Sequence, residues 1–410
     1  MKRPARRSDR LARLLALAGA FLTCAGHAAA QDLQVQGTLS QTFTFDSDLD
    51  LDDSGPSFGS TTSVGVSATY LTDDSDATIS SSLSYRRFTE DDDGEDFDGF
   101  TPNINGSARF RLGRLTLTEG LSFRIDDVAF TEFTEEGTID PNGIFTDADA
   151  RRLDFTFSQG ASYALTQRTS LGGAVGVSLT RFSETDDELS DSDRFFGSLS
   201  LSRAVSPRLS LSVSANASRF ETGSDVEDTR GTSVGVSVGF NRLLQEDVTL
   251  GGRVGLRYVT VREEVSVFPL GRVESEESNI GVNGGFSFSY DVGQTDLFAG
   301  LSQDVAPTED GEVEESTTLS AGLSHAINSR QSVNVGFSVT RRTNVTDTVG
   351  NNENTDQEFF GQISPSYSYR LTPSWSANLG YSFRLSNDED GSNVSNSVFL
   401  GFSRPLRIFP

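Results

Sequence analysis

Nine arginines fall on the polar side of short alternating runs: Arg86, Arg109, Arg111, Arg124, Arg253, Arg257, Arg342, Arg370 and Arg384. Guanidinium groups gathered along one wall offer several fixed donors each, and such a wall attracts and orients anions. It can equally brace itself by pairing with acids, and the two roles are compatible. In-strand acids on this side are few, Asp154 being the clearest, so the opposing acids are expected from the connecting segments. The longest connection, Asp126–Ala150, carries Glu132, Glu135, Glu136 and Asp140 together with Phe130, Phe133, Ile139 and Phe145. A loop left in solvent gains little from four large apolar residues. Folded inward, it would set its acids against the arginines across a constriction; packing on neighbouring loops is the other arrangement open to it.

Catalysis is poorly supplied. His325 is the only histidine beyond residue 30, and Cys24 is the only cysteine of the chain. A nucleophile triad or a His/Cys metal centre would therefore lack partners. Carboxylates are so numerous that finding a pair of them carries no meaning. Asp46, Asp48, Asp50, Asp52 and Asp53 form an Asp-x-Asp series, and Asp91-Asp-Asp-Gly94 is similar, but neither continues to the Glu of an EF-hand loop. Solvated loops are the preferred reading, with loose binding of Ca²⁺ or Mg²⁺ as the lesser one. No catalytic residue, cofactor or metal site is expected.

The arginines stand on elements with a period of two. Leu33, Val35, Gly37, Leu39, Phe43 and Phe45 alternate with polar residues, as do Val234, Val236, Val238 and Phe240, and Val333, Val335, Phe337 and Val339. Successive strand side chains point to opposite faces, so each such run is apolar on one face and polar on the other. The polar face is built from small groups such as Ser80, Ser82, Ser84, Ser198, Ser200 and Ser202. Tyr70, Tyr163, Tyr290, Tyr369 and Trp375 lie on the apolar face beside short turns, where a bilayer interface favours aromatic rings.

Eight short turns alternate with nine longer, mostly acidic connections, which predicts 18 strands of about 11–13 residues with both chain ends on the turn side. Leu165, Val205, Leu244, Ile327 and Leu371 open five turns in a shared register, at a repeat of about 40 residues. A propeller blade would fit four short strands into that length, and helical repeats would show a period of 3.6. Tilted strands of about 9–11 residues cross a bilayer. The expected fold is all-β: a transmembrane antiparallel up-and-down β-barrel of about 18 strands.

Residues 1–30 read as a separate segment. Lys2, Arg3, Arg6, Arg7, Arg10 and Arg13 precede an apolar stretch and the small residues Ala28-Ala-Ala30, the order of a secretory signal peptide. The barrel is then assigned to residues 31–410. Removing six of 33 basic residues and one of 59 acidic ones takes the net charge from −26 to −31. That balance opposes nucleic-acid binding, which wants a basic face.

The chain resembles Gram-negative outer-membrane β-barrels in its signal-like start, even strand number, short turns and long loops. The phrase Tyr369-Arg-Leu-Thr-Pro-Ser-Trp375 is similar to one in β-barrel porins found with exopolysaccharide-export loci. The resemblance implies an outer-membrane, non-enzymatic pore for passive or weakly selective diffusion of small hydrophilic solutes, with anions favoured by the arginines. A surface adhesin or receptor anchored by its barrel, or an outer-membrane component of exopolysaccharide export, are the alternatives. The implied partners are outer-membrane lipid, lipopolysaccharide and the barrel-insertion machinery; the oligomeric state is left open, a trimer being one assembly it could form. Cysteines placed singly at Arg168 and at Asp92 test the orientation in intact cells. Asp92 should label from outside and Arg168 should not; the reverse pattern would invert the topology.

Overall fold

Alternating strands too polar for a soluble core on one face and too apolar for water on the other can satisfy both by closing on themselves. The computed structural model shows that solution. It describes residues 32–47, 56–89, 99–127, 151–183, 191–223, 227–267, 271–307, 313–344, 357–387 and 391–409. The expected signal peptide lies outside these residues.

The first six strands are β1 (Asp32–Asp46), β2 (Ser57–Leu71), β3 (Ser75–Phe88), β4 (Gly99–Leu112), β5 (Leu115–Asp127) and β6 (Arg151–Ala164). Next come β7 (Thr169–Ser183), β8 (Asp191–Ser206), β9 (Leu209–Gly223), β10 (Glu227–Gln245), β11 (Val248–Val267) and β12 (Gly271–Val292). The last six are β13 (Thr295–Pro307), β14 (Val313–Asn328), β15 (Gln331–Asn344), β16 (Gln357–Thr372), β17 (Trp375–Asn387) and β18 (Ser392–Phe409). All 18 belong to one sheet, each strand pairing antiparallel with its sequence neighbours. β1 pairs with β18 from Val35↔Phe409 to Asp46↔Ser397 and closes the ring. The protein is an all-β, closed, antiparallel barrel.

The turns explain their own repetition. Val205, Leu244, Ile327 and Leu371 are each skipped in the ladder, as bulge residues just before a turn. The bulge keeps these apolar side chains exposed on the outer face, at 41–50% exposure. The next residue then caps the turn in three of these: Arg208 N–H donates to Ser206 Oγ, Arg330 N–H to Asn328 Oδ1 and Ser374 N–H to Thr372 Oγ1. Arg168 N–H donates to Thr166 Oγ1 in the same way after Leu165. Short Ser, Thr and Asn side chains favour turns through this bond. In two other turns Gly113 and Gly293 take φ of 62° and 65°, a region costly for other residues.

The strands run to 13–22 residues, longer than the alternation alone predicts. The excess lies at the loop ends: Asp46, Ser57, Thr101, Asp126 and Asp127 are strand residues, although their polarity places them in connections when the sequence is read alone.

Phenylalanine rings lie over glycines on the next strand. Phe88, Phe196, Phe220, Phe298 and Phe399 are register partners of Gly59, Gly176, Gly231, Gly322 and Gly380. A Cβ at these glycines would fall 1.6–2.3 Å from the ring. Gly231→Ala, the tightest case, should therefore expel the Phe220 ring and destabilise the barrel by about 1–3 kcal/mol, as overpacking does. Denaturant unfolding in detergent checks this, with Gly65→Ala as the control, whose nearest atom is 3.6 Å away.

Candidate functional site: the concave face of the barrel

Ion pairs identify which face is inside. Arg86 of β3 binds Asp126 of β5 across β4, Arg257 of β11 binds Asp304 of β13 across β12, and Arg384 of β17 binds Asp46 of β1 across β18. Strands lie about 4.8 Å apart, so these pairs bridge two strand spacings, which converging side chains on a concave face can do. The opposite parity carries the exposed large apolar residues, among them Val64, Val175, Leu199, Leu256 and Ile280. An apolar convex belt and a polar concave wall are the two faces of a membrane barrel.

Hydroxyl groups pave the concave wall. Ser63 and Ser84 lie 2.7 Å apart, Thr156 and Ser178 3.1 Å, Ser214 and Ser237 2.8 Å, and Ser376 and Ser403 2.7 Å. Each is a cross-strand pair, the unit of sheet stabilisation, and each leaves a small polar surface.

The nine arginines occupy this parity but divide into two sets. Toward the loop ends they are engaged. Asp126, 1% exposed, accepts from Arg86 Nη2 at 3.2 Å and Arg124 Nε at 3.1 Å, and also from the Thr101 hydroxyl. Arg384 donates to Asp46 at 2.8 Å and to Ser395 Oγ at 2.9 Å, and Ser395 also binds Asp46. Arg342, buried, lies 5.4 Å from the Phe360 ring centroid, within cation–π range. Toward the turns they are looser. Arg111 reaches Asp76 only at 3.8 Å, and the exposed Arg109, Arg253 and Arg370 form no ion pair among the described residues.

Two expectations change in consequence. Strand acids on this face are more numerous than the sequence reading allowed, because Asp46 and Asp126 belong to strands and are bound by arginine. Asp46 thereby leaves the Asp-x-Asp series, whose remaining members lie outside the described residues. The proposed constriction acids Glu132, Glu135, Glu136 and Asp140 also lie outside them. His325 bonds Thr295 Oγ1 through Nδ1 at 2.8 Å on the convex side. Among the described residues no group of three His, Cys, Asp or Glu side chains could hold a metal ion.

The structure adds residues that the sequence reading missed. Arg152 donates to Asp154 at 3.0 Å, as does Thr180. Arg194 comes within electrostatic reach of Arg257 and Asp304 from strands away. Beside them Phe220, Val259 and Val261 form a buried apolar cluster on the concave face. A signal for it exists: the apolar parity of β11 passes from Val254, Leu256 and Tyr258 to Val259 and Val261.

No family model matches the sequence, and no curated protein does. Solved structures share its architecture. The siderophore receptor PiuA from Acinetobacter baumannii aligns with a TM-score of 0.51 at 7% identity, over 90% of this chain and 82% of that one. The copper transporter OprC gives 0.50 at 11% identity, over 89% and 63%. OccK2 from Pseudomonas aeruginosa, solved in complex with glucuronate, gives 0.43 at 11% identity, over 92% and 99%. The fold is that of an outer-membrane β-barrel. With its exposed apolar belt, the protein resides in the outer membrane.

Asp126→Asn should cost about 3–5 kcal/mol, since it leaves two guanidinium groups short of a buried counter-charge. Asp76→Asn, whose carboxyl and Arg111 partner are both largely exposed, should cost less than about 1 kcal/mol. Unfolding midpoints of the two variants in detergent measure the difference.

Proposed function

We propose that the protein is a non-enzymatic outer-membrane pore for passive, weakly selective diffusion of small hydrophilic solutes, with a preference for anions. The observation that carries this reading is the hydroxyl-paved concave wall, on which Arg109, Arg253 and Arg370 keep exposed charge without an ion pair among the described residues. Barrels of 16–18 strands enclose an aqueous channel when their inner side chains are small. Fixed positive charge along such a channel raises the local anion concentration and lowers that of cations. The loop-end arginines contribute little to this selectivity, because Asp46, Asp126 and Asp304 neutralise them locally.

A receptor is the second reading. It is suggested by the long acidic connections between strands, such as Asp126–Ala150, for which the barrel would serve as an anchor. Export of a polysaccharide rests on the short turn phrase alone.

Planar-bilayer recordings separate these. Open channels with a reversal potential shifted toward anions in a KCl gradient are expected. Replacing Arg109, Arg253 and Arg370 together by Ser should abolish that shift, whereas Arg384→Gln should leave it in place. Absence of conductance would favour the receptor; an unaltered shift in the triple variant would remove the assigned role of these arginines.

A further inference from the structure

Among the polar pairs on the convex belt, Glu119 with Gln159 stands without a hydrogen bond in the described residues. On β5 the outward positions run Leu115, Leu117, Glu119, Leu121 and Phe123, and on β6 Phe155, Phe157, Gln159, Ala161 and Tyr163. Glu119 and Gln159 are register partners, four residues along from the pair Leu115↔Tyr163. At about 3.3 Å per residue and a tilt of about 40°, they stand about 10 Å above the tyrosine level, inside an apolar band about 25 Å tall. A carboxylate or amide turned toward acyl chains is costly unless something accepts or donates to it.

Several other polar side chains on this face are matched within the chain. Thr62 donates to Gln41, His325 bonds Thr295, and Gln303 donates to Glu315 at 2.6 Å. Glu119 and Gln159 have no such bond among the described residues. Several convex positions around them are small, although Val175 pairs with Gln159. Ala108 pairs with Glu119, Gly106 with Leu121, and Ala161 with both Leu117 and Gly173. The small residues leave room beside Glu119 for a side chain of another sheet to reach it.

We propose that this patch is the interface of a dimer, covered by a second copy of the chain related by a two-fold axis along the membrane normal. Such an axis keeps every residue at its height and exchanges left with right. Passing between β5 and β6, it sets Glu119 against the partner's Gln159 and Gln159 against the partner's Glu119. Each amide then donates to a carboxylate, and both groups are satisfied in a place without water. Isologous contact requires this reciprocity. A ring of three or more copies joins two different surfaces at each contact, so Glu119 would not meet its complement. The stoichiometry is therefore two.

Wild-type protein reconstituted in lipid nanodiscs and liposomes provides the test, with mass and subunit exchange as readouts. The wild type should be dimeric. Glu119→Leu and Gln159→Leu should each weaken association by about tenfold or more, whereas Glu119→Gln retains the dimer. Leucine suits a lipid-facing position, and β-sheet circular dichroism checks that each variant is folded. The decisive sample mixes Glu119→Leu with Gln159→Leu. One copy of each restores a polar contact on one side of the axis and an apolar one on the other, so mixed dimers should form where neither variant pairs with itself. A monomeric or trimeric wild type, dimers that survive both leucine variants, or a mixture that stays monomeric would each overturn the proposal.

Discussion

The ladder between β1 and β18 is the contact on which the remaining structure depends, because hydrocarbon offers no partner to a bare sheet edge. An open 18-stranded sheet would expose two rows of backbone donors and acceptors to lipid, and closing the ring removes both. The seam is reinforced on its inner side. Asp46 on β1, 3% exposed, is held by Arg384 of β17 and Ser395 of β18, so one buried carboxylate ties three consecutive strands where the chain's first and last elements meet. Once the ring is closed, parity does the remaining sorting: every second side chain meets lipid and the others share an enclosed space.

Charge is distributed within that space by height. Near the loop ends, arginines and aspartates pair across intervening strands and stiffen the wall. Near the turns, arginines stand exposed on a lining of serine and threonine. Acids stand near the turns as well, Asp76 beside Arg111 and Asp291 opposite Asp296, but they are exposed and loosely held. The two ends of the concave wall therefore differ in how firmly their charges are paired, which is a consequence of where the acids lie and not of how many arginines there are.

Much of this architecture was legible in the sequence. The alternation in segments such as Val333–Val339 identified strands, and eight short turns alternating with nine longer connections counted them. The strand ends were not legible. Asp46 and Asp126 carry the composition of loops, and what makes them strand residues is contact with Arg384 and Arg86 from two strands away, which no local pattern encodes. Phe220 and Val259 stand off the dominant apolar parity of their strands, although the shift in β11 is visible in its sequence. Glu119 was also visible, as the gap in a run of leucines and phenylalanine on β5. Its meaning depends on Gln159 being its cross-strand neighbour, and pairing across the long Asp126–Ala150 connection has to be seen in the folded ladder.

The phenylalanine–glycine partners resolve an ambiguity that alternation leaves open. Inside–outside patterning forbids a strand from sliding by one residue, but a slide by two returns every side chain to its proper face. A slide by two between β9 and β10 would bring Thr229 or Ser233 beneath Phe220 in place of Gly231; between β7 and β8, Ala174 or Ser178 would replace Gly176 beneath Phe196. Each substitute carries a Cβ where the ring must lie. The glycines therefore work as keys to absolute offset. Summed around a closed sheet, the offsets are its shear, which together with strand number sets tilt and diameter. The width of the bore is thus written, hairpin by hairpin, in the positions of residues that have no side chain at all.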